Sequence, residues 1–491
     1  MLRVIQIFIL SLWLTTSSFS LNDYLSERLT SANYNQSQFQ MALKINNVAA
    51  KYIVYKESIA GSLQWLNSAK FLARKDKEIA WQLALFYQQK SLVREHLYWA
   101  NHAFKLGATS AIIERAKQLA LTKQHYQQAK NLLHPIESEE SRILQVTLAV
   151  KFADFHHLQS LLPKLMSTKE QVLLKELFSY QVLPSIFDQS LFSSTPVITS
   201  NCKNSIQFFA TNLPDLTRLT GLFSKIQSSK FFKQQFCFKT PKYIGPDKLQ
   251  CGHHRSERIN CDVELIVGTG LNEDIKYIGV LGPKGVANVN NGVVYIDQLD
   301  SQLVLEHELL HLIGFIDEYP LNKLNTACEQ QGALAKNVIN IKKSIYSSER
   351  DARAKVMPLL PWKDLIKAGT PISYETPQGF RLGTPENFSN DVGLFVANTC
   401  KNYQVASEVN ETFKPVNKVT QLQYFEEHLP LDYESITKQV GDQFDMPSYH
   451  YNIGKKYQHQ GDFEQANFWF EKASGVETTA KENIFSLIKP Q

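Results

Sequence analysis

The sequence predicts an α+β protein: a mixed-sheet domain carrying one chemistry-bearing helix, flanked on both sides by α-helical segments. Three observations predict it. Between about 40 and 190 the text is apolar at helical spacing and poor in Gly and Pro. Between 197 and 430 it changes to short β-branched runs and a hairpin signal, Asn291-Gly292. From Ser448 to Gly475 it returns to two helices separated by Gly461.

Composition limits the possibilities without selecting a function. The chain has 491 residues, enough for two or three domains, and is 43% hydrophobic and 20% charged, as ordinary globular proteins are. A net charge of +5 over this length implies neither a nucleic acid nor an anionic surface as partner. The expected divisions are a leader at 1–20, a helical domain at 21–192, the mixed-sheet domain at 197–430 and a helical segment at 431–491.

The leader reads as a signal peptide. Arg3 precedes an apolar run from Val4 to Leu14 interrupted only by Gln6 and Ser11, and Ser18 and Ser20 supply the small residues a signal peptidase needs. Cleavage is expected after Ser20. The run is short for a bilayer, no Cys follows it to take a lipid, and no later run reaches transmembrane length. The mature chain is therefore expected to be exported, periplasmic or secreted, with no transmembrane segment.

In the first flank, Trp81, Ala84 and Leu85 are expected on one helix face, with Leu97, Ala100, Ala103 and Phe104 on the next helix. Ala116, Leu119, Tyr126, Ala129 and Leu133 repeat the theme one hairpin later. In the second flank Ile453, Gly454, Tyr457, Gly461, Phe463, Ala466, Phe470 and Ala473 place small residues where helices cross and aromatics in the gaps. Both flanks resemble tetratricopeptide repeats, although His450 stands where that template opens on Trp. The resemblance implies a surface for a protein partner. A single C-terminal repeat cannot stand alone and is expected to pack on the sheet domain or on the N-terminal helices.

Pro184 and the run Ser193-Ser194-Thr195-Pro196 mark the boundary near 197. All six cysteines follow it, which in an exported chain suggests disulfides; the expected set is Cys202 with Cys237, Cys251 with Cys261, and Cys328 with Cys400. Val263–Val267, Tyr277–Leu281 and Val293–Ile296 read as strands. Asp300 or Ser301 can cap the helix that follows. A charged helix is expected around 330–356, and the Pro- and Gly-rich passage from Pro358 to Pro385 as irregular surface that walls a cleft. The adjacent His253-His254 cannot both face one ion on a strand and read as a polar loop.

The capped helix carries the chemistry. His307-Glu308-Leu309-Leu310-His311 sets two imidazoles four residues apart, one turn apart on one face, where they can share a metal ion. This is the H-E-x-x-H zinc arrangement, with Glu308 offset so that its carboxylate reaches a water rather than the ion. A catalytic zinc takes a third protein ligand. Gly314 lets the backbone leave the helix in a left-handed turn, which can swing Asp317 back toward the metal.

The whole, H-E-x-x-H-x-x-G-x-x-D, resembles the metzincin zinc peptidases with Asp in place of their third His. Asp317-Glu318-Tyr319 is also similar to the D-E-Y of metalloendopeptidases related to the IgA-cleaving family, which keeps Glu318 as an alternative third ligand. The resemblance implies a Met-containing turn beneath the metal, for which Met357 and the segment Thr420-Gln421-Leu422-Gln423-Tyr424 are candidates, with Tyr424 available to an oxyanion. It also implies that the strand leading into the helix, Val293–Ile296, is an edge strand that holds an extended substrate beside the helix. The expected function is therefore an exported zinc-dependent metalloendopeptidase acting on a protein or peptide, with Glu308 as general base, His307, His311 and Asp317 as metal ligands, and Zn2+ as cofactor. The competing expectation is a helical-repeat binding protein whose metal domain is inactive or structural.

Overall fold

The structure, a computed structural model, describes residues 21–183, 204–252, 258–268, 275–322, 326–403 and 410–477. The chain is α+β and divides into two compact units, one of Met1–Phe152 with His156–Ser167, the other of Ala153–Phe155 with Thr168–Gln491. The expected change of domain at 192–197 lies outside the described residues. Helix Thr168–Ser179, expected in the first domain, belongs to the second unit.

The first unit is a succession of short helices. Many begin on a side-chain cap that satisfies otherwise orphaned N–H groups: Asn35 with Gln38 in a capping box, Asp76 on Glu78 and Ile79, Ser138 on Ser141. Alanines with no exposed surface let neighbouring helices approach closely: Ala69, Ala80, Ala84 and Ala103 around Trp65 and Trp99, then Ala116 and Ala129 around Leu133. Ala116, Leu119, Tyr126, Ala129 and Leu133 share one core, as the spacing predicts. The earlier stripes are rotated from the expected ones. Leu85 and Leu97 are exposed, and Ile79, Leu83, Tyr87 and Trp99 fill the interior instead. A 3.6-residue period fixes that a face exists better than which of two adjacent faces is buried.

The second unit is built on a six-stranded mixed sheet. Its strands are β1 (Asn204–Ala210), β2 (Phe236–Phe238), β3 (Lys242–Tyr243), β4 (Tyr277–Leu281), β5 (Asn288–Asn290) and β6 (Val293–Ile296). The order is β2-β1-β4-β6-β5, with β3 also beside β1; every pairing is parallel except β5 with β6. β4 and β6 are fully buried and read as apolar throughout, as central parallel strands do. Asn291 and Gly292 both have positive φ and close the two-residue β5–β6 hairpin, so β5 lies at the sheet edge and Val293–Ile296, expected there, lies inside between β4 and β5.

A second sheet comprises β7 (Gly332–Ala333), β8 (Ile339–Lys342), β11 (Phe395–Ala397) and β12 (Asn410–Lys414), all antiparallel, in the order β11-β12-β8-β7; β9 (Ser373–Thr376) and β10 (Gly379–Leu382) form a separate hairpin. Two expectations are corrected. Val263–Val267 is a short helix capped by Asp262, not a strand; a five-residue β-branched run carries too little periodicity to decide between the two. The charged helix of 330–356 shrinks to Glu349–Val356, because the residues before it form β7 and β8.

Residues 431–477 pack within this unit, the lone C-terminal helix pair lying on the sheet domain. Ile436, in helix Leu431–Val440, joins a core with Trp362 and Phe413. Tyr449 and Ile453, in helix Tyr449–Gln460, pack on Ile278, Val280, Val293 and Tyr295 of the six-stranded sheet. That helix pairs with Phe463–Val476 through a glycine crossing: a Cβ on Gly454 would lie 2.5 Å from the Phe470 ring. Among the described residues no helix is long and apolar enough to cross a membrane.

Cys251 is bonded to Cys261 and Cys328 to Cys400. Cys237 is also disulfide-bonded; its expected pairing involves position 202, outside the described residues. His253 and His254 lie outside them as well.

Candidate metal centre

Helix Gln302–Leu312 begins on Ser301, whose hydroxyl accepts from the Val304 N–H. Asp300 does not cap it and instead accepts from the Asp297 N–H. The helix is buried on nearly every side, with all of residues 305–310 and Leu312 inside. Two imidazoles and two carboxylates, Glu306 and Glu308, are thus carried out of water, which is costly unless each has a partner.

The helix ends in a Schellman motif. The Gly314 N–H donates to the His311 carbonyl and the Phe315 N–H to the Leu310 carbonyl, both at 3.2 Å, with Gly314 at φ 85°. A Cβ there would lie 2.6 Å from the Phe444 carbonyl as well as straining the backbone, so the position admits only glycine. The turn sends the chain back along the helix. Asn337 then holds Ile316 on both sides, accepting from its N–H at 3.0 Å and donating to its carbonyl at 2.9 Å. Thr399 donates to the Asp317 carbonyl at 2.8 Å.

Asp317 is thereby delivered to the two imidazoles. Its Oδ1 lies 3.1 Å from His307 Nε2 and 3.3 Å from His311 Nε2, and the two Nε2 atoms are 3.2 Å apart. Each ring is oriented from behind by a backbone carbonyl, Gln421 to His307 Nδ1 at 2.8 Å and Phe315 to His311 Nδ1 at 3.1 Å. A carbonyl only accepts, so both Nδ1 atoms carry protons. In neutral rings both Nε2 atoms are then bare lone pairs.

With both rings neutral, three lone pairs would converge on one point, and Asp317 Oδ1 is buried with no hydrogen-bond donor aligned on it. That arrangement is repulsive unless a cation occupies the centre. Ligand atoms about 2.0–2.1 Å from a tetrahedral zinc stand about 3.4 Å apart, close to the separations found here. His307, His311 and Asp317 therefore form a group that can hold a metal ion.

In the metal-free chain a proton substitutes for the cation. Burial opposes charge on His311, but the Asp317 carboxylate outweighs it and pushes the imidazole up to about 9. Burial likewise opposes ionisation of Asp317, yet the two rings hold it below the ordinary carboxylate range. A metal must displace the His311 proton at any pH below that value, so affinity is expected to rise about tenfold per pH unit from 7 toward 9. Chelator competition at several pH values checks this; a flat profile would contradict it.

Glu318 is turned away from the ion site. One of its carboxylate oxygens accepts from Lys414 Nζ and Thr420 Oγ1, both at 2.8 Å, and the other from Asn337 Nδ2 at 3.1 Å and the Tyr433 hydroxyl. Its N–H donates to the Leu422 carbonyl. The neighbouring Gln421 carbonyl meets the His307 ring and Leu422 is fully buried, while Met357 packs on a different core beside Val356 and Trp362. Tyr424 is 59% exposed and does not line the cleft; Tyr319 does. Burial and then Asp317, to which its hydroxyl is hydrogen-bonded, raise the Tyr319 pKa.

The cleft over the site has a volume of about 380 Å³. Glu308, His311 and Asp317 form its floor; Ala287, Asn288 and Val289 form one wall, and Leu334, Ala335 and Phe444–Pro447 another. Residues 358–385 contribute nothing to it, so the expected Pro- and Gly-rich wall is replaced by segments from elsewhere in the chain. Asp445 in that second wall is paired with Lys336 at 2.6 Å, both fully buried. Glu308 is 7% exposed, and burial raises its carboxyl pKa against the opposing pull of His311 and His307.

Sequence reasoning did not find Asn337 or Thr399, which hold the Ile316–Asp317 backbone, nor Arg258, which lines the cleft; Gln421 fell within a candidate turn, but not for its carbonyl. No local pattern marks them. Comparison with protein-family models, with curated proteins and with solved structures finds no match to this chain.

Proposed function

We propose that this chain is an exported zinc-dependent metalloendopeptidase of the metzincin-like type. One observation carries the reading: two imidazole Nε2 atoms, each with its Nδ1 turned to a backbone carbonyl, and one carboxylate oxygen converge within metal-sharing distance beside a further carboxylate, Glu308, that is not among the three. Three protein ligands with an open cleft on the remaining side fit a catalytic zinc better than a structural one, which closes all four positions with protein. Zinc held there would supply Lewis acidity toward water and toward a peptide carbonyl.

The chain's own residues do the rest. Glu308 accepts a proton from water in the cleft and returns it to the leaving amine, a role suited by a carboxyl pKa above the ordinary value. Edge strand β5 offers backbone groups along which an extended peptide can lie across the floor. The disulfides fit an oxidising compartment, periplasmic or extracellular. The N-terminal helices and the C-terminal hairpin act, in this reading, as tetratricopeptide-like surfaces for a protein partner.

The test is metal analysis of the purified chain together with hydrolysis of an unfolded protein, before and after chelation. Bound zinc and hydrolysis abolished by chelator and restored by zinc are expected. Zinc bound without any hydrolysis would leave the competing reading, a binding protein with a structural metal, and no bound metal would remove both.

A further inference from the structure

The geometry points to Arg258 as the residue by which the cleft selects substrates that carry a carboxylate. This rests on the peptidase reading for what happens to the substrate, but not for the binding itself. Arg258 lines the cleft with Glu308 and Asp317 and is exposed there. Among the described lining residues it is the only Lys or Arg, and among the described residues no carboxylate forms an ion pair with it.

Its backbone is fixed, unlike that of an ordinary surface arginine. The next residue, Ile259, donates its N–H to the Val286 carbonyl at 3.1 Å, and the Asn288 side chain donates to the Ile259 carbonyl at 2.9 Å. Three residues on, the Cys251–Cys261 disulfide ties the segment down. The backbone thus fixes where the side chain starts, and a guanidinium can meet a planar, two-oxygen partner with two parallel hydrogen bonds.

The charges of the cleft favour such a ligand. Asp445, the third acid of the lining, is already matched by Lys336. A dication among the ligands neutralises Asp317 and Glu308, and Arg258 then leaves the cleft positive. The position of Arg258 also has a direction. It bridges to Val286, just before the edge strand begins, so a peptide antiparallel to β5 runs with its C-terminal end toward Arg258. The carboxylate comes from an Asp or Glu side chain of the substrate or from its free C-terminus.

The experiment uses the zinc-loaded full chain and peptides in matched pairs, Glu against Gln at each position, each with a free or an amidated C-terminus. The wild type is expected to prefer the carboxylate member about tenfold or more, chiefly through KM. Arg258→Gln should remove that preference, and Arg258→Lys should restore it in part. Whether amidation or Glu→Gln removes the preference identifies the source of the carboxylate. Fluorescence anisotropy with the zinc-loaded Glu308→Gln chain reads binding without turnover. Carboxylate-dependent binding lost in the Arg258→Gln, Glu308→Gln chain, with no wild-type hydrolysis, would uphold Arg258 and sink the peptidase reading. Hydrolysis or binding with no carboxylate preference, or with one that survives Arg258→Gln, would overturn the assignment.

Discussion

Glu308→Gln is expected to leave the zinc content of the chain unchanged and to lower peptide hydrolysis by about 10²–10⁴-fold. Glutamine matches glutamate in shape, so the packing of helix Gln302–Leu312 should survive, and Glu308 supplies none of the three atoms that converge on the ion site. Only the capacity to take up a proton is lost. Both measurements are needed together, because a fall in hydrolysis with a fall in zinc would report damage to the centre instead of loss of a base. Full hydrolysis by the zinc-loaded variant would show that the base is some other group.

The second large effect is structural. Glu318→Ala is expected to destabilise the folded chain by about 3–5 kcal/mol, since it removes one member of a buried ion pair and strands the other. Lys414 is 6% exposed and would keep its charge with no carboxylate to meet it, while Asn337, Thr420 and Tyr433 would each lose a hydrogen bond. Because Glu318 follows Asp317 directly and shares Asn337 with Ile316, the same change should weaken zinc binding. Denaturant unfolding of the metal-free chain isolates the stability term. Adding Lys414→Met should recover part of it, since the stranded charge is then gone as well. A midpoint unchanged by Glu318→Ala would mean that the network does not hold this region.

These two acids show what could be read from the chain alone. His307, Glu308, His311, Gly314 and Asp317 fall within eleven residues, and helix periodicity plus one left-handed turn relate them, so local rules sufficed to bring them together. Asp317 and Glu318 are equivalent as isolated carboxylates. What separates them is Lys414, 96 positions away, and Thr420, 102 positions away, and no spacing rule reaches that far. The ring-orienting Gln421 carbonyl is 114 positions from His307 and belongs to the backbone, so no residue type marks it.

The same limit governs the fold. β4, β6 and the Asn291-Gly292 turn were legible because they are long enough or chemically distinctive. Val263–Val267 was not, being a short apolar run whose helical state is set by the Asp262 cap. The placement of Tyr449 and Ile453 on the sheet left no trace in the pattern either, since a buried helix face looks alike whatever covers it.

The bond between Cys328 and Cys400 reaches further than the stability of one loop. Cys400 follows Thr399, whose hydroxyl holds the Asp317 carbonyl, so the acid ligand is tethered at one remove to a covalent link spanning 72 positions. Closing a loop of that length narrows the unfolded ensemble by about 4 kcal/mol. That constraint is carried by one hydrogen bond to the backbone of Asp317. Reduction of this bond in the folded chain is therefore expected to weaken metal retention as well as stability, which chelator competition before and after reduction would read.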